Sequence, residues 1–494
     1  MLVGKYKSLL LALISTGCTL VGPNYESRGD DPQSRFVNVE DEGLSEVRLE
    51  IEWWTLFNDA TLTQLVEQTL AYNPDLRVAE ARLREARALR REQTYDRYPT
   101  ITTQADASHS RQSAELVASG VDRDQDLYDA GFDAFWEIDF FGRVRRLIEA
   151  REAEAESFEA NRRDVAVTLI GEVARNYLEM RGAQQRLQVA TANAENQTQT
   201  LDLTDILLEG GRGNAFDLAR AEAQLNSTLA TIPPLQAQIK RALHRLAVLT
   251  GQPPGALNNE LLAAAPIPEL PDVIGVEAPA DLLRRRPDIR FAERNLAAFT
   301  AGIGVAVADL FPRVTLLGSL GVAATSGSDL VKDEAGFYSI GPSIVWLAAF
   351  DLGRVRARIA QAEARAEGAF AQYERVVLAA LEEVESASVT FGRERIRYDR
   401  LARAERASTQ AAELARLRYR EGVANFLEVL DAERVQLAAQ DQLVISEITA
   451  ATALAALYKA LGGGWQVAKV TMGSGNSTLQ TDFLPLYVPE KSLK

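Results

Sequence analysis

The strongest constraint on this chain is that it says the same thing twice. The stretch RRRPDIRFAERNLAAFTAGIGVAVADLFPRVTL, from Arg284 to Leu316, reads as a helix that starts after Pro287 and runs into a strand opened by Phe311-Pro312. A weaker copy, NPDLRVAEARLREARALRREQTYDRYPTIT, starts at Asn73. Pro74 maps to Pro287, Asp75 to Asp288, Glu80 to Glu293 and Pro99 to Pro312, all at an offset of 213. A helix-into-strand unit repeated at this distance predicts a duplicated fold.

Composition narrows what that fold can do. The 494 residues carry 54 Lys and Arg against 69 Asp and Glu, a net charge of −15 with no long basic stripe, which argues against nucleic-acid binding. Two His (His109, His244) and one Cys (Cys18) leave no Cys/His metal cluster and no disulfide framework. Lys5 and Lys7 precede the apolar run Leu9–Ile14 and then Ser15-Thr16-Gly17-Cys18, the pattern of a secretory signal over residues 1–17. Cys18 lies where a bacterial lipoprotein signal is cut and the new N-terminus acylated, although Ser15 replaces the usual aliphatic residue. An ordinary secretory signal containing a Cys is the other reading. No later segment holds ~20 consecutive apolar residues, so no transmembrane helix is expected. A membrane crossing would need a closed barrel.

Strand signals come in pairs. Tyr128, Ala130, Phe132, Ala134, Trp136, Ile138 and Phe140 alternate with Asp129, Gly131, Asp133, Phe135, Glu137 and Asp139. In the second half Val314, Leu316, Gly318, Leu320 and Val322 alternate with Arg313, Thr315, Leu317, Ser319 and Gly321. A further alternation runs from Tyr338 through Ile340, Pro342, Ile344, Trp346 and Ala348 to Phe350. This is what a barrel strand between lipid and a wet lumen requires, and a half-buried strand of a soluble sandwich shows it too. Four strands cannot close a pore, since the smallest membrane barrels use about eight. Membrane strands here would therefore imply an oligomer.

Each strand pair leads through Gly142-Arg143 or Gly353-Arg354 into a helical run with no interior Pro. Roughly 65 residues at ~1.5 Å each make a rod on the order of 100 Å. The runs turn at Gly210, Gly211 and Gly213 in one half and at Gly422 in the other, where a tight turn favours positive φ. On the returning helices Leu218, Leu225, Ile232, Ile239 and Leu246 recur every seven residues, as do Leu430, Leu437, Val444, Ala451 and Tyr458, at an offset of 212. In the first half a second row, Ala221, Thr228, Leu235, Ala242 and Leu249, runs three residues behind. Seven-residue spacing predicts supercoiled neighbours, and Pro233-Pro234 predicts a break. The expected division is a signal at 1–17, an extended leader at 18–50, repeat 1 at 51–260, repeat 2 at 261–462 and a tail at 463–494.

These residues resemble the TolC/OprM-type outer membrane factors, specifically the NodT-type efflux lipoproteins. The resemblance rests on Cys18 followed by Gly22-Pro23-Asn24-Tyr25, Trp53-Trp54 with Phe57, Leu283 to Ile289, Phe311-Pro312, Tyr419 with Gly422, and Leu430-Asp431-Ala432. It implies an α+β, mostly α fold. Four strands per chain would join a 12-stranded β-barrel shared by a homotrimer, and long antiparallel coiled-coil helices would form a periplasmic α-barrel. It further implies a lipid-anchored outer membrane channel, partnered by a periplasmic adaptor and an inner-membrane RND-type pump, that exports drugs or other small molecules without a cofactor. Its periplasmic gate would use Glu428 and Asp431 as acidic ring positions and Leu427 as an apolar constriction. Arg434 would pair with Asp431, while Tyr419 and Asp217 would link the two hairpins. Ala424 departs from the pattern, standing where some relatives use Arg. The lipid would be carried by Cys18.

An enzyme is disfavoured. Gly210–Gly213 lacks the Lys-Ser/Thr of a phosphate loop, and neither HExxH nor GxSxG is present. A coiled-coil structural lipoprotein without a pore explains the helices but not the alternating strands. A channel for type I protein secretion would share the tube and differ only in its partner.

Overall fold

In the computed structural model the described residues are 20–26, 36, 50–118, 122–270 and 285–467. The signal segment and Cys18 lie outside them. A short 3-10 turn at Trp53–Phe57 precedes α1 (Ala60–Tyr72), α2 (Pro74–Tyr95), β1 (Thr100–Arg111) and β2 (Asp124–Ile138). Then come α3 (Arg143–Glu209), α4 (Ala215–Leu229), α5 (Ile232–Leu249) and the single turn α6 (Asn258–Leu261). The second half contains α7 (Pro287–Ala308), β3 (Arg313–Ala324), β4 (Gly336–Val345), α8 (Leu352–Arg420) and α9 (Phe426–Ala460). With 67 and 69 residues, α3 and α8 are each on the order of 100 Å long.

The duplication is visible in matching hydrogen bonds. Asn73 caps α2 through Asp75 N at 2.8 Å and donates from Nδ2 to Leu249 O at the end of α5, also at 2.8 Å. Arg286 holds the equivalent place before Pro287 and donates from Nη1 to Ala460 O at the end of α9 at 2.8 Å. Its guanidinium also binds both Asp288 oxygens, at 3.0 and 2.6 Å, and Glu383 at 2.8 Å. In each half, the residue before a helix-starting Pro thus ties that helix to the return of its own rod. The Arg-Pro-Asp motif is therefore a structural clasp.

The sheet is antiparallel with order β1-β2-β3-β4, leaving β1 and β4 as edges within the chain. Phe132 lies opposite Thr103 and Leu320, and Leu320 opposite Tyr338. Residues directly opposite share a face. One face therefore collects Ile101, Phe132, Trp136, Leu316, Leu320, Ile340 and Ile344, while the other collects Gln104, Asp129, Asp133, Thr315, Ser319 and Ser343 together with Phe135, Leu317 and Val345. Ile101, Phe132, Leu320, Ile340 and Ile344 are exposed in the single chain. β4 stops at Val345, although the alternation continues to Phe350. Val345 pairs with Arg313, the first residue of β3, so the ladder has no partner beyond it. Leu347–Ala349 turns into a 3-10 helix instead. Trp346 serves as a pin, donating from Nε1 to Leu310 O at 3.0 Å, as Trp136 does to Arg97 O at 3.1 Å. Each indole reaches the carbonyl two residues before the Pro that opens a strand.

At the foot of the sheet Gly142 takes φ +81°. Asp139 then accepts from Val144 N and Arg145 N, both at 3.0 Å, seating the positive end of α3 on a carboxylate. The break in the first return falls at residues 230–231. Pro233 and Pro234 lie in the first turn of α5, where the missing N–H groups have no intrahelical partner to lose.

The core lies where both rods meet the small helices. Trp53, fully buried, stacks on Tyr458 at 5.4 Å and meets Trp54 and Phe57 edge-on. Around them pack Leu62, Leu65, Ile170, Val173, Tyr177, Leu246 and Leu457. By length and composition α9 could cross a membrane, contrary to the sequence expectation, because an 18-residue window reaches mean hydropathy 1.4. That window is 56% buried within the chain, which is the burial of a core helix. The rods α3 and α9 approach closely at Gly182, where a Cβ would sit 2.1 Å from Ile448 Cδ1 and Cγ1. Gly182→Ala is expected to destabilise the fold by ~1–3 kcal/mol through overpacking. Denaturant unfolding in detergent would check this, and an unchanged midpoint would refute it.

Candidate functional site

Two regions can act: the faces of the sheet and the paired helix tips. At the tips the chain turns twice in the same way. Gly211 takes φ +69° and Gly422 φ +76°, each just past a helix end. Gly210, expected to need positive φ, has φ −74° and serves as the C-cap of α3. Gly213 is required by close approach, since a Cβ there would lie 2.8 Å from Leu208 N. Arg212 N and Gly213 N both donate to Leu207 O at 2.8 Å, and Val423 N donates to Arg418 O at 2.9 Å. The two turns are neighbours, for a Cβ on Gly422 would lie 3.3 Å from Arg212 Nη2.

The outgoing helices start alike as well. Asn214 accepts from Asp217 N at 2.9 Å, and Asn425 accepts from Glu428 N at 3.1 Å. Asp217 and Glu428 are therefore equivalent residues in the first turns of α4 and α9. Both carboxylates stand where the helix dipole favours negative charge. Glu428 completes a capping box with Asn425 and lies 3.6 Å from Arg418 across the turn. Tyr419 meets Phe426 edge-on at 5.9 Å. Among the described residues no hydrogen bond joins Tyr419 to Asp217, so that link is not made within one chain. Leu427 is 55% exposed and Asp431 is exposed, as are Val423 and Val435.

Among the described residues of the single chain, no ion pair joins Asp431 to Arg434. Arg434 instead lines a cavity of about 720 Å³ between α3, α4, α5 and α9, with Arg186, Arg241 and Asp441 on its walls. An exposed pair three residues apart on a helix contributes only ~0.2–0.5 kcal/mol, too little to hold two mobile side chains. The ion pair that does join the halves here is Arg186 to Asp441, bidentate at 2.7 and 3.1 Å.

Sequence reasoning missed the acid beneath the tip. Glu433 is only 3% exposed. It accepts from Thr200 Oγ1 at 2.9 Å and faces Arg416 Nη1 at 3.5 Å. Burial pushes its carboxyl up from the usual glutamate range, and the Thr200 hydrogen bond and the Arg416 charge offset this only in part. The signal was present in the heptads. At the same 212-residue offset, the second row of repeat 1 (Ala221, Thr228, Leu235, Ala242, Leu249) becomes Glu433, Gln440, Glu447, Leu454 and Leu461.

Residues 20–26 supply a further contact. The buried Arg146 of α3 donates to Val21 O at 3.0 Å, Gly22 O at 3.1 Å and Asn24 Oδ1 at 2.7 Å, tying the leader to α3. Gly22 and Gly304 meet here, a Cβ on Gly22 falling 2.5 Å from Gly304 Cα. Among the described residues no group of His, Cys, Asp and Glu could hold a metal ion.

A four-stranded sheet with one apolar and one polar face, standing on two antiparallel rods of this length, defines a subunit of an outer membrane channel. The outer membrane efflux protein family matches residues 65–252 and 278–463. Nodulation protein T of Rhizobium leguminosarum bv. trifolii is 31% identical over 93% of this chain and 97% of its own length. Outer membrane protein OprJ of Pseudomonas aeruginosa is 31% identical over 93% and 95%. Among solved structures, the outer-membrane channel OprN aligns with a TM-score of 0.85 at 45% identity, over 90% of this chain and all of the other. The open state of the MtrE channel of Neisseria gonorrhoeae aligns with 0.79 at 28% identity, over 90% and 98%. The chain belongs to the outer membrane efflux protein family. It is an outer membrane channel component for efflux, reaching from the outer membrane into the periplasm of a Gram-negative cell. Its relatives are efflux channel proteins and not enzymes.

Proposed function

We propose that three copies of this chain form a passive, gated conduit that carries small molecules from a periplasmic adaptor and an inner-membrane RND-type pump to the exterior. The observation that carries the reading is the sheet. Its edges β1 and β4 are open within the chain, and its apolar face is exposed. Three such sheets joined edge to edge make 12 strands, enough to enclose water. The apolar face then meets lipid and the face with Asp129, Asp133 and Ser319 lines the lumen. The rods below continue the wall, in two repeats spanning 51–260 and 261–462, with a tail from 463. Cargo of small-molecule size is supported by relatives named for toluene, solvent and pyoverdine efflux. An acyl chain on Cys18 would add a lipid anchor, which mass spectrometry of the mature N-terminus tests.

The gate in this reading is the tip. Leu427, Glu428 and Asp431 lie on the first turns of α9 and are exposed in a single chain, with Glu428 beside Arg418. Three copies would bring them into rings, and acidic rings favour cations. Tyr419, Asp217 and Arg434 would then act between chains. Asp431→Ala is expected to raise the single-channel conductance of the full chain in planar bilayers by severalfold and to weaken cation selectivity. A conductance equal to wild type would remove Asp431 from the gate, and the absence of any channel would remove the conduit itself.

A further inference from the structure

The interface between α3 and α9 changes character along its length. Near the core, α3 offers Val173, Tyr177 and Met180, and α9 offers Ala451, Leu454 and Tyr458. Toward the tip, the buried α3 residues come to include Asn193, Gln197, Thr200 and Thr204 beside Ala190 and Ala194, and the buried α9 residues include Glu433 and Gln436 before Phe426 and Val429 at the start of the helix. Asn193 Nδ2 donates to Gln440 Oε1 at 2.8 Å, and Thr200 to Glu433 at 2.9 Å. From α8, Thr409 Oγ1 accepts from Gln436 at 3.3 Å and from Gln440 at 3.4 Å. The network is incomplete, because both side-chain polar atoms of Gln197 and the Oε1 of Gln436 are buried without a partner. Buried polar atoms left unpaired gain when water reaches them, whereas the apolar half loses when wetted. The two hairpins are thus joined by a polar stretch that tolerates water better than the apolar packing toward the core, with the close contact of Gly182 on Ile448 between the two.

We propose that Glu433, enclosed in this polar stretch, sets how readily the two hairpins part during gating. The proposal rests on the reading of the tip as a gate. Among the described residues, the charge acting on Glu433 is Arg416 of α8, while α3 presents the neutral Thr200. In the closed state, burial holds the Glu433 carboxyl above the usual glutamate value of 4.5. Once the hairpins part, water restores the ordinary value. Closing therefore takes up a proton. Lower pH favours the closed state, and raising pH above 4.5 toward the raised value favours parting. The ionised carboxylate is a bias toward opening stored in the closed state. Glu447, two steps along the same row toward the core, is also raised by burial, so it serves as the comparison position.

The test uses the full chain in planar bilayers between pH 4.5 and 8. Open probability of the wild type should rise with pH, about tenfold in the parted-to-closed ratio for each pH unit separating the two pKa values. Glu433→Gln should flatten that rise and hold open probability at its low-pH level, Glu433→Asp should retain the slope, and Glu447→Gln should leave most of it. At one fixed pH, amide exchange over residues 197–204 should be slower in Glu433→Gln than in wild type. An unchanged pH profile, or faster exchange in Glu433→Gln, would overturn the proposal. If Asp431→Ala still raises conductance in that case, the gate stands without Glu433. If no variant conducts at any pH, both fall.

Discussion

Replacing Trp53 with alanine is expected to destabilise the protein by about 3–5 kcal/mol, the usual range for deleting a buried aromatic. Trp53 is fully buried, and its ring stacks on Tyr458 with 9° between the planes. The stacking joins a residue near the start of the chain to the last turns of α9. Its neighbours Trp54 and Phe57 sit on the same 3-10 turn and close the other side of the indole. The Arg286 clasp, bonded to Glu383 of α8 and Ala460 O of α9, ties those two helices together. The expected readout is a lowered thermal midpoint in detergent, since the cluster joins both hairpins. Trp53→Phe should recover most of the stability. A loss below 1 kcal/mol for alanine would mean that this cluster is not the junction of the two repeats.

The second large effect concerns the sheet. Leu320 lies 61% exposed on the apolar face, between Phe132 and Tyr338 on the neighbouring strands. If that face meets lipid, Leu320→Arg should cost about 2–4 kcal/mol near the bilayer midplane. Ser319→Arg, one residue away on the lumen face, should cost far less in stability and alter ion selectivity instead. Folding titrations into lipid vesicles separate the two. Equal penalties at both positions would contradict the assignment of faces, because a one-residue shift along a strand reverses sides.

What the sequence shows on its own follows from the physics of each feature. Period-two alternation in β2 and β3 is a local property of the backbone, and the register brought those residues together on common faces. The rods were legible because Ala, Leu, Glu and Arg run on without Pro, and the break at residues 230–231 because Pro233 and Pro234 can sit only in a first turn. The same local logic failed in three places. The alternation from Tyr338 continued past Val345, but a strand ends where its partner does. The positive φ expected at Gly210 belongs to Gly211, since the turn geometry depends on which carbonyl captures which N–H. Asp431 and Arg434 had the right spacing for an ion pair, yet Arg434 found a cavity shared with another hairpin.

By itself, then, the sequence determined the duplicated plan, the kinds of element and the two-sided sheet, because these depend on periodicities the chain carries within each segment. Only the tertiary structure decided which polar residues are enclosed. Glu433 and Gln440 occupy heptad places that Ala221 and Thr228 occupy in the first repeat, and no local rule states that these places face α3 and α8. Burial is a property of what packs on top, set by contacts between segments more than two hundred residues apart, such as Thr200 and Glu433. For the same reason the polar stretch beneath the tip appears only once both hairpins are in place.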